Sequence, residues 1–167
     1  MDNAALKARA YAIAAHGDQR YGTYPYRHHL DAVAKILAPF GTNAQIVGYL
    51  HDTIEDTDVS HADIEEHFGL LIADCVAILS DEAGPDRKTR KTLTYIKMAK
   101  VDGDRTLALI VKAADRLANV RACIDDGNQG MLEKYRGEHP NFRPAAFRPG
   151  LCDALWDELD RLLAASH

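Results

Sequence analysis

One short stretch of the chain concentrates side chains that could do chemistry. His51, Asp52, Glu55 and Asp56 stand together in the segment Leu50-His51-Asp52-Thr53-Ile54-Glu55-Asp56-Thr57. Acidic side chains near the C-terminal end of a helix oppose the helix macrodipole, so local helix stability does not explain them. His51 and Glu55 are four residues apart and share a helix face. Asp52 and Asp56 form a second such pair, one position further round.

Imidazole and carboxylate groups in this arrangement suit a hard, moderately flexible divalent cation such as Mn²⁺. The alternative interpretation is a solvated acidic helix end that runs into a loop. These residues alone leave both interpretations open.

Two further stretches place polar groups inside segments of apolar periodicity. Adjacent His28 and His29 follow Pro25, and Asp115 follows two alanines in the middle of the longest apolar period. A buried aspartate must be paired or must bind a metal. Asp115 is therefore either a metal ligand or half of a structural ion pair, with Arg116 or with a neighbouring helix.

The elements that position these side chains are predicted from the apolar periodicity, which is helical nearly throughout. Pro25 is expected to open the second helix, because its missing N–H is harmless at the first helical position. Ser60 and Asp63 resemble a capping box. The predicted helices cover residues 4–16, 25–40, 44–55, a short segment from Ser60 to about Phe68, 70–80, 89–101, 105–124, 131–139 and a last helix from Leu151.

The segments between these helices are predicted as loops. Residues 81–91 are polar and are expected to form a loop that enters the next helix, and Pro140, Pro144 and Pro149 are expected in another. No convincing run of alternating apolar and polar residues predicts a strand. The expected fold is all-α, a compact bundle of about eight or nine helices.

Composition narrows the class of protein. The 167 residues are 47% apolar and 27% charged, which predicts a single folded domain and excludes a disordered chain. The net charge of −5 disfavours duplex nucleic acid as a partner but does not exclude a small anionic substrate. Cys75, Cys123 and Cys152 are far apart, and we expect buried, reduced thiols. No apolar run approaches the ~18 residues of a membrane span and no signal pattern opens the chain, so a cytoplasmic protein is expected.

Four stretches, in order, resemble the HD-superfamily metal-dependent phosphohydrolases, and most closely the small RelA/SpoT-type alarmone hydrolases. They are the histidine after Pro25-Tyr26, the His51-Asp52 dipeptide, Glu55-Asp56-Thr57, and the pattern K-x-A-D-R-L-x-N at 112–119. The resemblance spans about residues 16–121. It implies a single HD hydrolase domain over 1–167, with C-terminal helices over 128–166 completing the bundle. It also implies hydrolysis of the 3′-pyrophosphate of a guanosine or adenosine alarmone, with release of pyrophosphate.

The resemblance also implies roles for individual residues. His29, His51, Asp52 and Asp115 would bind one Mn²⁺ or another divalent ion, with His28 as the rival of His29. Glu55 and Asp56 would flank the attacking water and assist its deprotonation. The implied substrate-binding residues are Arg20, Lys88, Arg90, Lys91, Lys112, Asn119 and Tyr135. A solvated polar loop is the alternative for the basic run at 87–91.

This chain departs from the family pattern on the substrate side. The loop from Gln19 to Pro25 is compact, Met131 stands where some relatives have an arginine, and the segment 136–150 has no recognisable match. Two alternatives therefore stay open: an HD-domain nucleotide phosphomonoesterase that releases orthophosphate, and a catalytically silent nucleotide-sensing module. The intact Glu55-Asp56 pair argues against the silent module, because binding alone needs no water-activating pair. No nucleic acid or membrane partner is expected, and the oligomeric state is not readable.

Overall fold

The computed structural model describes residues 2–165, so Met1, Ser166 and His167 of the expected 1–167 domain lie outside the described residues. The regular secondary structure of the described part is helical apart from one small hairpin, which confirms the expected all-α class. It contains ten α-helices, of which α4 is a single turn, against the eight or nine expected. They are α1 (Asn3–His16), α2 (Arg27–Leu37), α3 (Thr42–Leu50), α4 (Thr53–Asp56), α5 (His61–Phe68), α6 (Leu70–Leu79), α7 (Arg87–Ala99), α8 (Leu107–Asp125), α9 (Gln129–Ala146) and α10 (Asp153–Ala164), with 3₁₀ turns at Ala38–Phe40 and Gly103–Thr106.

Helix α8 runs through the centre of the molecule and separates two hydrophobic clusters. Val111 and Ala114 face the first cluster, which α1, α2, α3, α5 and α6 complete. Leu117 and Val120 face the second cluster, which α7, α9 and α10 complete. Because both faces of α8 are covered, three polar residues in its middle, Lys112, Asp115 and Arg116, are buried as well, and Asp115 is only 8% exposed.

Close packing of α2 against α3 brings two of the predicted site histidines together. A Cβ atom on Gly48 of α3 would lie 2.4 Å from Cδ1 of Leu37 on α2, closer than real Cβ contacts allow. Glycine at this position therefore permits the close approach of the two helices. His29 of α2 and His51, which directly follows α3, then face each other across the contact.

A small hairpin replaces the predicted start of the second helix. Strand β1 (Arg20–Tyr21) pairs antiparallel with β2 (Tyr24–Pro25), and Gly22 in the turn has φ +57°, where glycine is favoured. The expectation that Pro25 opens α2 is therefore wrong, because Pro25 lies in the strand and α2 begins at Arg27. Two-residue strands are too short to produce a detectable alternation.

Helix α9 continues through Pro140 and Pro144, where a loop was expected. Both prolines are exposed on the outer face of α9, whereas Leu132, Tyr135 and Phe142 are buried on its inner face. The backbone hydrogen bonds that proline removes are therefore lost on the outer face, while packing of the inner face maintains the helix.

Helix α7 begins at Arg87, two residues before the predicted start. The Asp86 side chain accepts a hydrogen bond from the Thr89 N–H at 2.8 Å and caps the helix. The basic run at 87–91 therefore lies on the first turns of a helix and is not a solvated loop. The three cysteines are buried and unpaired, as expected. Over residues 2–165, no helix combines the length and apolar character that crossing a membrane requires.

Candidate metal centre and active site

Four side chains from three parts of the fold converge on one point. His51 Nε2 lies 2.9 Å from Asp52 Oδ2 and 3.6 Å from Asp115 Oδ1. His29 Nε2 lies 3.2 Å from His51 Nε2 and 3.3 Å from Asp115 Oδ1. These are the four predicted ligands, brought together by α2, the α3–α4 junction and α8. The rival His28 is exposed and stacks on Tyr24, with ring centroids 4.4 Å apart.

Hydrogen bonds from outside the cluster orient the ligating atoms of three of these side chains, His51, Asp52 and Asp115. His51 Nδ1 lies 2.7 Å from the Gly48 carbonyl oxygen, so Nδ1–H donates there and Nε2 is the ring nitrogen that faces the cluster. Tyr26 Oη donates to Asp52 Oδ2, and Asn119 Nδ2 donates to Asp115 Oδ1 at 2.6 Å. Two imidazoles and two carboxylates oriented in this way fit a divalent metal ion.

The charge state of Asp115 also suits a ligand. Burial opposes its ionisation, but the Lys112 ammonium and the imidazoles of His29 and His51 outweigh that effect and hold the pKa of Asp115 well below its usual range. Lys112 Nζ lies 3.5 Å from Asp115 Oδ2 and is itself buried. Asp115 is therefore a carboxylate at neutral pH.

The single turn α4 carries Glu55 and Asp56 to the mouth of the cleft beside the cluster. Glu55 Oε2 accepts the Asp81 backbone N–H at 3.0 Å, and desolvation by the cleft walls raises the pKa of Glu55. Asp56 Oδ2 accepts a hydrogen bond from Gln19 Nε2 at 2.8 Å. Both carboxylates are solvent-accessible, so water can reach them next to the cluster.

The cleft has a volume of about 180 Å³, and its lining includes the cationic side chains of Arg87, Lys91, Lys112 and Arg116. Of the predicted substrate-binding residues, Lys91, Lys112, Asn119 and Tyr135 line it. Lys91 Nζ pairs with the Asp81 carboxylate at 2.8 Å. Desolvation and the nearby Lys112 charge lower the pKa of Lys91.

The other three predicted substrate-binding residues do not line this cleft. Arg20 is exposed on the hairpin and donates to the Thr23 carbonyl. Lys88 is exposed on the outer side of α7, and Arg90 packs beside Gly84. The first turns of α7 explain why some residues of the basic run at 87–91 line the cleft and others do not. Arg87 and Lys91 are four residues apart and share the helix face that points inward, whereas Lys88 and Arg90 lie on other faces.

Arg116 is a cleft residue that sequence reasoning did not assign to the site. It is 3% exposed and lies between the rings of Tyr135 and Phe142, each centroid 4.5 Å from its guanidinium carbon. Its Nη2 pairs with Glu138 at 3.0 Å, and Glu138 also pairs with Arg87 at 2.7 Å. The alternative of an ion pair from Asp115 to Arg116 is thus not the pairing observed. The sequence feature that could have indicated a site role for Arg116 is its position as a charged residue inside a segment of apolar periodicity.

Tyr21 and Tyr26 were also not assigned to the site. The Tyr21 ring stacks on His29, with centroids 4.7 Å apart, and its hydroxyl donates to Asn119 Oδ1 at 2.7 Å. Tyr21 lies on the hairpin, which the apolar pattern could not predict. Tyr26 donates a hydrogen bond to Asp52, and its sequence signal was its place in the Pro25-Tyr26 pair that precedes the predicted ligand His29.

The chain is similar in sequence to known proteins. A family model described as "HD domain" matches residues 8–138. The chain is 34% identical over 118 residues to a guanosine-3′,5′-bis(diphosphate) 3′-pyrophosphohydrolase from Aquifex aeolicus, and 30% identical over 164 residues to a GTP pyrophosphokinase from Streptomyces coelicolor. These alignments cover 68% and 93% of this chain, but only 17% and 19% of the respective relatives, so the chain spans about a fifth of their length.

A solved structure is also similar. It is described as a metazoan ortholog of SpoT that hydrolyzes ppGpp and plays a role in starvation responses. Its TM-score is 0.81 at 25% sequence identity, and the match covers 97% of this chain and 94% of that one.

Proposed function

The chain belongs to the HD domain family, and on that premise we propose that it hydrolyses the 3′-pyrophosphate of a purine nucleotide and releases pyrophosphate. The observation that carries the proposal is the convergence of His29, His51, Asp52 and Asp115 in a cleft that Glu55 and several cationic side chains also line. The activities named for the Aquifex aeolicus relative and for the metazoan SpoT ortholog support the same reaction. The substrates would be guanosine or adenosine 3′-pyrophosphates.

The four converging side chains would hold one divalent cation, and we propose Mn²⁺. A hard divalent ion accepts a mixed set of imidazole and carboxylate ligands. When bound, such an ion supplies Lewis-acid stabilisation of the phosphoryl group and lowers the pKa of a bound water.

The chemical step assigns separate tasks to the two carboxylates of α4. A water oxygen forms a bond to the phosphorus attached to the ribose, and the bond from that phosphorus to O3′ breaks. Glu55 accepts the water's proton, and that proton is returned to O3′, which leaves a 3′-hydroxyl and pyrophosphate. Asp56, held by Gln19, orients the water.

The cations of the cleft would neutralise the departing pyrophosphate. Lys91, Lys112 and Arg87 line the cleft and are kept in place by ion pairs with carboxylates. Asn119 and Tyr135 would contact the ribose end. The substrate contacts of Arg20, Lys88 and Arg90 stay predictions, since these side chains lie outside the cleft wall. We also propose that residues 1–167 form a single hydrolase domain.

Product analysis tests this proposal directly. Protein loaded with Mn²⁺ is mixed with guanosine and adenosine 3′-pyrophosphates, and products are separated by anion exchange, with Asp52→Ala as the inactive control. Release of pyrophosphate by the wild type alone supports the proposal. Orthophosphate release from a panel of nucleoside monophosphates would favour a phosphomonoesterase instead, and metal binding without any turnover would favour a nucleotide sensor.

A further inference from the structure

A second cavity adjoins the cleft and differs from it in charge. It has a volume of about 180 Å³ and shares Tyr21, Asn119 and Tyr135 with the cleft. The rest of its described wall is formed by Gly22, Ala122, Cys123, Asp126, Asn128 and Met131, without a lysine, arginine or histidine. A cavity without cations does not suit phosphate groups. Given the proposed function, a nucleotide whose 3′-pyrophosphate lies in the cleft can place its base here.

Asp126 is the one charged side chain in this wall. It lies at the end of α8, is exposed, and makes no side-chain hydrogen bond or ion pair with any residue in the range 2–165. The two asparagines of the wall are already engaged. Asn119 bonds to Asp115 and Tyr21, and the Asn128 side-chain oxygen accepts the Met131 N–H at 3.2 Å. Asp126 is thus a carboxylate acceptor in this wall that remains available to a ligand.

We propose that Asp126 is a specificity-determining residue that makes the enzyme prefer guanosine over adenosine nucleotides. Guanine presents two adjacent donors, N1–H and the 2-amino group, which the two oxygens of one carboxylate accept together. Adenine presents the N1 lone pair at the same edge, which repels a carboxylate. This inference rests on the proposed function and names the base that its site selects.

A larger neighbouring cavity of about 560 Å³ is the competing location for the base. It shares Tyr21 and His29 with the cleft, and both Asp125 and Asp126 line it. The smaller cavity is favoured because it shares with the cleft both Asn119 and Tyr135, the residues proposed to contact the ribose. Asp125 does not line the smaller cavity, so it provides a matched control.

The experiment compares kcat/KM for guanosine, inosine and adenosine 3′-pyrophosphates in the wild type, Asp126→Asn and Asp125→Asn. The wild type is expected to prefer guanosine over adenosine by about tenfold to a hundredfold, with inosine, which lacks the 2-amino group, in between. Asp126→Asn is expected to bring the guanosine-to-adenosine ratio close to one, because an amide can donate to adenine N1. Asp125→Asn is expected to keep the wild-type ratio.

Three results would overturn the inference: equal rates for the two bases in the wild type, an unchanged ratio in Asp126→Asn, or a ratio that changes only in Asp125→Asn. If no nucleotide is hydrolysed, the proposed function fails, and equilibrium binding of the same nucleotides to the metal-free proteins decides the inference separately. Preferential guanosine binding that Asp126→Asn abolishes would sustain it, and equal binding of both bases would refute it.

Discussion

At the residue scale, Glu55 is the side chain whose chemistry can be isolated most cleanly. A glutamine at position 55 keeps an oxygen that accepts the Asp81 N–H but cannot accept a proton from water. We expect Glu55→Gln to lower kcat about 10²- to 10⁴-fold while metal binding is retained. The matched control is Glu66→Gln on the exposed surface of α5, which should leave kcat unchanged. A Glu55→Gln enzyme within a few-fold of wild type would exclude Glu55 as the general base.

The protonation of Glu55 gives a second test at this scale. Desolvation raises the pKa of Glu55 above the ordinary value of 4.5. In the metal-free protein its side-chain carboxyl should therefore titrate with a midpoint above 4.5, the base form being lost as the pH falls through that midpoint. Addition of diamagnetic Zn²⁺ should move the midpoint downward, since a nearby cation favours the carboxylate. Carbon-13 NMR of the labelled side chain measures both, and a midpoint at or below 4.5 without metal would contradict the environment described.

The four proposed metal ligands were predicted from the short motifs that carry the family resemblance, and the structure brings their side chains together. Arg20, Lys88 and Arg90 came from the same resemblance, but their side chains lie outside the cleft wall. Which side chains of the basic run at 87–91 point inward depends on whether these residues are already helical. The Asp86 cap sets that start two residues earlier than the apolar pattern indicated.

At the element scale, the hairpin and its preceding loop position Asp56. Gln19 joins His16 Nδ1, at 2.7 Å, to Asp56 Oδ2, at 2.8 Å. We expect Gln19→Ala to lower kcat about tenfold or more with little change in KM, because Asp56 loses its orientation without losing its charge. Gln129→Ala, at the exposed start of α9, is the control. Equal kcat values for the wild type and Gln19→Ala would show that this tether does not act on the reaction.

Glu138 of α9 ties three helices together. It pairs with Arg87 of α7 and with the buried Arg116 of α8. Glu138→Gln leaves two guanidinium groups without their carboxylate, so we expect the free energy of unfolding to fall by about 2 to 4 kcal/mol. Glu133→Gln, on the same helix but 64% exposed in its pair with Arg136, should cost about 0.5 kcal/mol or less. Urea unfolding of both variants measures the difference, and equal costs would show that burial adds nothing to the Glu138 pairs.

The helices were predictable from the sequence, whereas the hairpin and the continuation of α9 through its prolines were not. The regular apolar spacing of α1, α6, α8 and α10 matches the observed elements to within a few residues. The continuation of α9 through two prolines depends on tertiary packing of its inner face, and local sequence preferences give no information about that packing. The hairpin depends on a glycine turn and two-residue strands, which leave no periodic signal.

At the scale of the whole molecule, the two hydrophobic clusters share a boundary. Ile36, Phe40, Ile78, Ile110 and Leu155 pack against both of them. The proposed metal centre lies where α8 passes between the clusters, with ligands on α2, on the α3–α4 junction and on α8 itself. Shared boundary residues predict that both clusters unfold in a single cooperative transition.

Metal binding provides the test of that cooperativity. A cation that binds only the folded state stabilises it by RT ln(1 + [L]/Kd), about 2.7 kcal/mol at a hundredfold excess over Kd. Trp156, the single tryptophan, is fully buried in the second cluster and reports on that cluster alone. We expect saturating Mn²⁺ to raise the unfolding midpoint by Trp156 fluorescence as much as by far-ultraviolet circular dichroism.

The ligand variant and its control complete this test. Asp52→Asn should abolish both increases, and Asp58→Asn, on the exposed side of the same segment, should retain them. An increase seen by circular dichroism but not by fluorescence would mean that the two clusters unfold independently. In that case α8 would connect two separately folding units instead of forming the centre of one. Metal binding would then not stabilise α7 and α9, which contribute Arg87, Lys91 and Tyr135 to the cleft.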